Sequence, residues 1–276
     1  MIKDTEILAT NDVMFKIILG DPRHSRLLIH FLNAAIKSET PITSVEITNT
    51  ELTPEYVWQK GSRLDVRAKT QNGELINVEM QCGADRHMAA RALFYWSRMF
   101  AGQIEVSDQY YKLKRTISIN ILDFRLFDDE RYWRKGHITD DETKRNITEL
   151  LEMQFIELNK LRQVEKESPI TFWVEFFRDP YSKSVKALCD YVPEIKEAKQ
   201  IYEKAKSDPK ARALIETREK ALRDYTNDIA CAKDEGKAEG KIEMVLELLR
   251  AGVDVDIIAQ TSGLSIEEIE SLRNKQ

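Results

Sequence analysis

Cysteine is scarce in this 276-residue chain: three residues, Cys82, Cys189 and Cys231, stand far apart and outside any Cys-x-x-Cys pair. Neither a disulfide framework nor a structural zinc site is expected from that pattern. The four histidines, His24, His30, His87 and His137, form no His-Glu-x-x-His arrangement and no other close pair, which disfavours a histidine-bound metal. If a metal is held, oxygen ligands remain, and carboxylates suit Mg²⁺ or Mn²⁺. No apolar run approaches the about 20 residues that span a bilayer, and the start Met-Ile-Lys-Asp-Thr-Glu is too polar for a signal peptide. The expectation is a cytoplasmic protein with no membrane partner. A basic excess is missing as well: the net charge of −5 argues against coating nucleic acid by an overall field. Residues 86–135 nevertheless hold more Lys and Arg than Asp and Glu, which leaves room for a local phosphate-binding groove.

What the chain does have is a hairpin with its polar chemistry on one face. Positions 64, 66 and 68 are Leu, Val and Ala, and positions 76, 78, 80 and 82 are Ile, Val, Met and Cys. The alternate positions carry Arg63, Asp65, Arg67 and Lys69 on one strand and Asn77, Glu79 and Gln81 on the next. Such period-two alternation predicts half-buried strands with the polar face toward solvent. Asn72-Gly73 suggests a two-residue turn, but that register sets Asp65 opposite Met80 and so mixes the faces. A three-residue loop, Gln71 to Gly73 with Gly73 left-handed, sets Asp65 opposite Glu79 instead. Directly opposed residues have Cβ atoms about 4.5–5.5 Å apart, so the two carboxylates need a cation or a proton between them. A divalent metal satisfies this requirement, and so does simple neutralisation by Arg63 and Arg67.

Elsewhere, residues 12–36 read as one broken helix or two, divided at Gly20-Asp-Pro22, with Asp12 an N-terminal helix charge and Lys16 a solvated side chain. Residues 42–52 alternate as a first strand that ends where Glu51 approaches the hairpin. Residues 84–104 form a helix with Arg91, Tyr95 and Arg98 along one face; these are either a surface arginine packed over a half-buried tyrosine or a fork for phosphate. A strand over 116–124 and a second hairpin, 132–139 with 150–158, follow. From Pro169 onward strand signals stop, and helices are expected over 185–205 and 211–232. The repeat Asp234-Glu-Gly-Lys-Ala-Glu-Gly-Lys241 weakens a helix at Gly236 and Gly240 yet permits close helix approach, as a flexible joint or a self-association seam. Two short helices around Gly263, the second capped by Ser265, end the chain. Their apolar residues, Met244, Val245, Leu248, Leu249, Ile257, Ile258, Ile266 and Ile269, are too few to bury one another well, so packing against a second copy or against the core is expected. A homodimer or higher oligomer through the C-terminal helices follows. More acidic than basic residues over 241–276 make this end a poor reader of a DNA groove.

Asp65 followed by Glu79-x-Gln81 on the next strand resembles the motif of the PD-(D/E)XK nuclease superfamily. More narrowly, Asn11-Asp-Val-Met-Phe-Lys16, Leu64-Asp-Val66, Val78-Glu-Met-Gln81, Arg91-Ala-Leu-Phe-Tyr95 and the Glu-Gly-Lys repeats are similar to the Rpn family of recombination-promoting nucleases and transposase-like proteins, over nearly the whole chain. The resemblance implies an α/β, restriction-endonuclease-like core, a mixed central sheet flanked by helices, followed by a helical C-terminal region. The expected division is 1–165 for the nuclease-like domain, 166–232 for a helical extension, and 233–276 for the repeat and a small helical module. It further implies an Mg²⁺-dependent DNA endonuclease, Mn²⁺ serving as well, in recombination, mobile-element or defence biology. Asp65, Glu79 and the Met80 backbone carbonyl would hold the metal, with Asp12, Lys16, Glu51, Arg91 and Tyr95 in support. Gln81 stands where the superfamily has Lys; an amide positions water but takes no proton, so that role is lost or passes to another group such as Lys16. The alternative is a catalytically weak or inactive nuclease fold acting as a DNA-binding or oligomeric assembly module.

Overall fold

The computed structural model describes residues 7–49, 65–161 and 168–274. Glu51, Arg63 and Leu64 lie outside these residues. The Asn11 side chain accepts from the amides of Val13 and Met14 and starts α1 (Asp12–Leu19), which stops at Gly20, where a Cβ would lie 2.7 Å from the Lys16 carbonyl oxygen. A 3₁₀ turn over Pro22–His24, capped by Asp21, then leads into α2 (Ser25–Ile36), so the Gly20-Asp-Pro22 signal divides two helices. Lys16, expected in solvent, is buried, because α1 lies within the main core.

β1 (Val45–Ile47) is shorter than the alternation suggested. β2 (Val66–Thr70) and β3 (Leu75–Gln81) pair antiparallel in the register Val66 with Val78 and Lys69 with Leu75. The loop has three residues: Thr70 N donates to Glu74 O, Gly73 N donates to Thr70 O, and Gly73 sits at φ 81°, where a side chain would be strained. β4 (Thr116–Leu122) runs parallel to β3, so the connection must cross over the sheet, and α3 (Met88–Ala101) supplies the crossover. β5 (Trp133–Gly136) and β6 (Leu151–Glu157) form the second hairpin and complete a mixed sheet in the order β1-β2-β3-β4-β6-β5.

The two faces of this sheet differ. One carries Val66, Ala68, Ile76, Val78, Met80, Ile117, Ile119 and Ile121 into the main core with α1, α2, α4 (Pro169–Arg178) and α6 (Pro193–Ser207). On the other, Met88 and Ala92 of α3 pack against Leu122 and Phe155. Asp65, Asn77 and Glu79 share that second face and are only 3%, 7% and 6% exposed. The polar side of the hairpin is therefore a solvent face only in part: Arg67 and Lys69 are exposed as expected, whereas Asp65, Asn77 and Glu79 are buried.

Helix 185–205 is interrupted: α5 (Lys183–Leu188) ends and α6 begins at Pro193, which lacks the amide needed to continue a helix but suits a first turn. α7 (Pro209–Arg250) follows, and the Glu-Gly-Lys repeat lies inside it as continuous helix and not as a joint. Each glycine costs about 1 kcal/mol relative to alanine, too little to break a helix of 42 residues. The chain divides into two compact units, Met1–Arg218 and Glu219–Gln276. In the second, α8 (Val255–Ser262) and α9 (Ile266–Arg273) flank Gly263, and Ser265 and Glu268 form a capping box. Val245, Ile258 and Ile269 are fully buried in this unit's own cluster, so its helices cover more of their apolar surface than expected, while Met244, Ile257 and Ile266 remain exposed. Among the described residues no helix is long and apolar enough to cross a membrane.

In the main core, the buried Trp173 ring meets Phe31, Phe176 and Phe177 and donates from Nε1 to His30 Nδ1 at 2.9 Å. That nitrogen must be unprotonated to accept, and burial lowers the His30 pKa below 6.5, outweighing Glu194. The unfolded chain then takes up the proton first. This contribution is full above pH 6.5 and is lost as pH falls through that value toward the lowered folded one. His30→Gln, which keeps an acceptor but no titration, should flatten the loss; urea denaturation at neutral and mildly acidic pH measures it, and equal slopes in both proteins would contradict the assignment.

Candidate active site

Extending the β2–β3 register by one pair sets Asp65 against Glu79. Directly opposed residues have Cβ atoms about 4.5–5.5 Å apart, so two ionised carboxylates here repel unless compensated, and both side chains are buried. Each is met by an arginine. Arg67 Nε donates to Asp65 Oδ2 at 2.9 Å, and Arg91 Nη2 donates to Glu79 Oε1 at 2.8 Å. Arg91 also lies 3.6 Å from Asp85. Arg67 was foreseeable as a neutralising group; Arg91, read as a surface or phosphate-binding residue, instead reaches inward to Glu79.

Asn49 was missed in the sequence. Its Nδ2 donates to both Asp65 Oδ1 at 2.9 Å and Asp65 O at 3.0 Å, and its Oδ1 accepts from Arg67 N at 2.7 Å. After β1 ends, one amide side chain thus continues the hydrogen bonding that a strand would have provided. The polar stripe of β4 was also overlooked, since Thr-Ile-Ser-Ile-Asn-Ile was read only for its isoleucines. Asn120, in register with Glu79, donates to Ser118 Oγ at 3.1 Å and to Gln154 O at 3.0 Å, and carries the polar surface onto a third strand. Between the sheet and α3 lies a recess of about 310 Å³ lined by Arg67, Asn77, Tyr95, Arg98 and Met99.

The other expected residues are distributed differently. Gln81 is half-buried at the end of β3, two positions beyond Glu79 on the same face, its Nε2 3.4 Å from Cys82 O. Met80 turns its side chain into the main core, and its backbone stands beyond the last described β2–β3 pair. Asp12 accepts from Arg218 Nε at 2.8 Å. Lys16 lines a separate cavity of about 450 Å³ beside Gly20 and Leu214, which includes none of Asp65, Glu79 and Gln81. Cys82 is exposed as a residue, but its thiol donates to Thr10 O, and desolvation there, with the nearby Asp123 carboxylate, pushes it up to about 12.

A family model described as a PD-(D/E)XK nuclease family transposase matches residues 9–232. The chain belongs to this family. No curated protein and no solved structure matches it. Membership of the PD-(D/E)XK family accords with the mixed sheet and flanking helices, identifies the α/β fold, and gives the chain a nuclease-like role, for which the family implies DNA as substrate and a divalent metal as the usual cofactor. The donor set can be tested against such an ion. No group of three His, Cys, Asp or Glu side chains suited to a metal occurs among the described residues. Two buried carboxylates already in cationic contact are still a fitting set, because Mg²⁺ characteristically binds through one or two carboxylates and keeps several waters.

Asn49→Ala should destabilise the protein by about 1–3 kcal/mol, since three hydrogen bonds around a buried carboxylate are lost. Urea denaturation measures the change. An unaltered midpoint would mean that Asn49 does not support Asp65.

Proposed function

We propose that the protein is an Mg²⁺-dependent DNA endonuclease, with Mn²⁺ an acceptable substitute, in which Asp65, Glu79 and the Met80 carbonyl hold the metal. The observation that carries this reading is the opposition of two buried carboxylates on adjacent strands, each held by an arginine. A bound divalent ion supplies positive charge to the phosphodiester and acidity to water. Asp65 and Glu79 fix where that charge sits, and Asn49 and Arg67 keep the Asp65 carboxylate oriented. Gln81, about 7 Å farther along the strand from Glu79, can orient an attacking water through its amide but cannot accept its proton. Arg91, with guanidinium N–H donors beyond its bond to Glu79, is placed to stabilise charge on phosphate oxygens. The family's transposase description supports a role in recombination or mobile-element biology, and a cytoplasmic location is proposed with it.

Asp65→Asn and Glu79→Gln keep the shape of each side chain and remove its charge. Each should lower Mg²⁺-dependent nicking of circular DNA by about 100-fold or more. Near-normal cleavage by purified Asp65→Asn would remove this site from consideration. A second reading, a nuclease fold that binds DNA without cutting it, is favoured by Gln81 in place of Lys and by arginines that already neutralise both carboxylates; binding without metal-dependent nicking would select it.

The nuclease-like part is assigned to 1–165 and the extension to 166–232, and the module 233–276 is proposed to join two copies through exposed Met244, Ile257 and Ile266. Light scattering on the full chain should give a dimer mass, and Ile257→Lys with Ile266→Lys, both at exposed positions, should give the monomer. A monomeric full-length protein would exclude this role.

A further inference from the structure

Two arginines from different elements meet at the recess beside the carboxylates, and both keep donors accessible. Arg67 commits Nε to Asp65, yet its side chain is 49% exposed and its two Nη groups make no other bond among the described residues. Arg98 is exposed on α3, its guanidinium 6.0 Å from the Phe94 ring, and it meets no carboxylate among the described residues. Planar guanidinium groups with open N–H donors suit an oxyanion with several acceptor oxygens, above all a phosphate.

Position ties this recess to the carboxylates by two routes. Along the hairpin, the pair Arg67 and Asn77 lies two residues from Asp65 and Glu79 on the same face, about 7 Å away. Consecutive phosphates of one DNA strand, joined through a single sugar, lie a comparable distance apart. Along α3, which returns over the sheet from the end of β3 toward the start of β4, Arg91 meets Glu79, and Arg98 lines the recess two turns later. Strand and helix therefore set a second cationic position on the same side of the carboxylates. Lys69, next on that face of β2, stands opposite Glu46, which offsets its charge, so the row of open cations ends at the recess.

We propose that Arg67 and Arg98 hold the backbone phosphate adjoining the one that meets Asp65 and Glu79. The inference rests on the nuclease reading for the identity of the polymer and deepens it: the DNA strand leaves the carboxylates along β2 toward Lys69. Arg98 is then a positioning residue. It fixes the neighbouring phosphate and touches neither the metal site nor the phosphate that is cut.

The test is equilibrium binding of a fluorescent DNA duplex by the full-length protein in EDTA, over a range of salt concentrations. Removing one phosphate contact should make the dependence of log K on log salt shallower by about 0.9. Arg98→Gln should show that change and weaken binding by about tenfold, the loss of a charged hydrogen bond. Arg98→Lys should keep the slope while losing affinity, because the charge remains and the paired donors do not. Arg23→Gln, at an exposed arginine between α1 and α2 on the opposite face of the sheet, should leave the slope unchanged. A wild-type slope in Arg98→Gln, an equal loss in Arg98→Lys or in Arg23→Gln, or no binding at any salt concentration overturns the subsite. Nicking of circular DNA with Mg²⁺ decides the nuclease reading separately. Nicking with unchanged slopes leaves that reading standing without the subsite, and a slope lowered by Arg98→Gln in a protein that never nicks upholds the subsite and sinks the nuclease.

Discussion

Two buried carboxylates opposed across a pair of strands impose the condition around which this site is arranged: their repulsion must be met by fixed positive charge. The local solution uses different parts of the chain. Arg67 comes from the same strand as Asp65, and Arg91 comes from the crossover helix. That places a demand on α3. Met88, Ala92 and Trp96 follow one another at four-residue spacing and are the buried residues of the helix, with Trp96 Nε1 donating to Thr116 O at 2.8 Å. Arg91 and Tyr95 stand one position before Ala92 and Trp96, so the stripe beside the anchor is the one that overlooks Glu79 and the recess.

The register of the hairpin was legible because a period-two pattern tolerates no slip by one residue, and the apolar and polar sets each stay together in one pairing only. The burial of Asp65, Asn77 and Glu79 on its polar face was not legible from the hairpin itself. A strand's alternation distinguishes two faces but does not say what covers each; that depends on which side a later crossover passes. The segment 84–104 contained the clue in Arg91 and Tyr95, whose inward role becomes visible only once Met88 and Ala92 are known to meet Leu122 and Phe155.

Asn49 illustrates a different limit. An asparagine near a strand end is common, and its three bonds to the segment 65–67 connect residues far apart in sequence. The Glu-Gly-Lys repeat is not a flexible joint, because two glycines suggest a break while the many helix-favouring residues on either side carry α7 through Gly236 and Gly240. The capped helices at the end were legible for the same local reason: Ser265, Glu268 and Gly263 act on their own neighbours.

Arg67 touches both the carboxylates and the recess beside them: its Nε is committed to Asp65, while the same side chain forms part of the recess wall opposite Asn77. A guanidinium has a limited set of donors in a fixed plane, so the bond to Asp65 fixes how the rest of the group is presented. On the proposed reading a divalent cation at the two carboxylates and the arginine contacts draw on the same negative charge, and by linkage each weakens the other to the same extent.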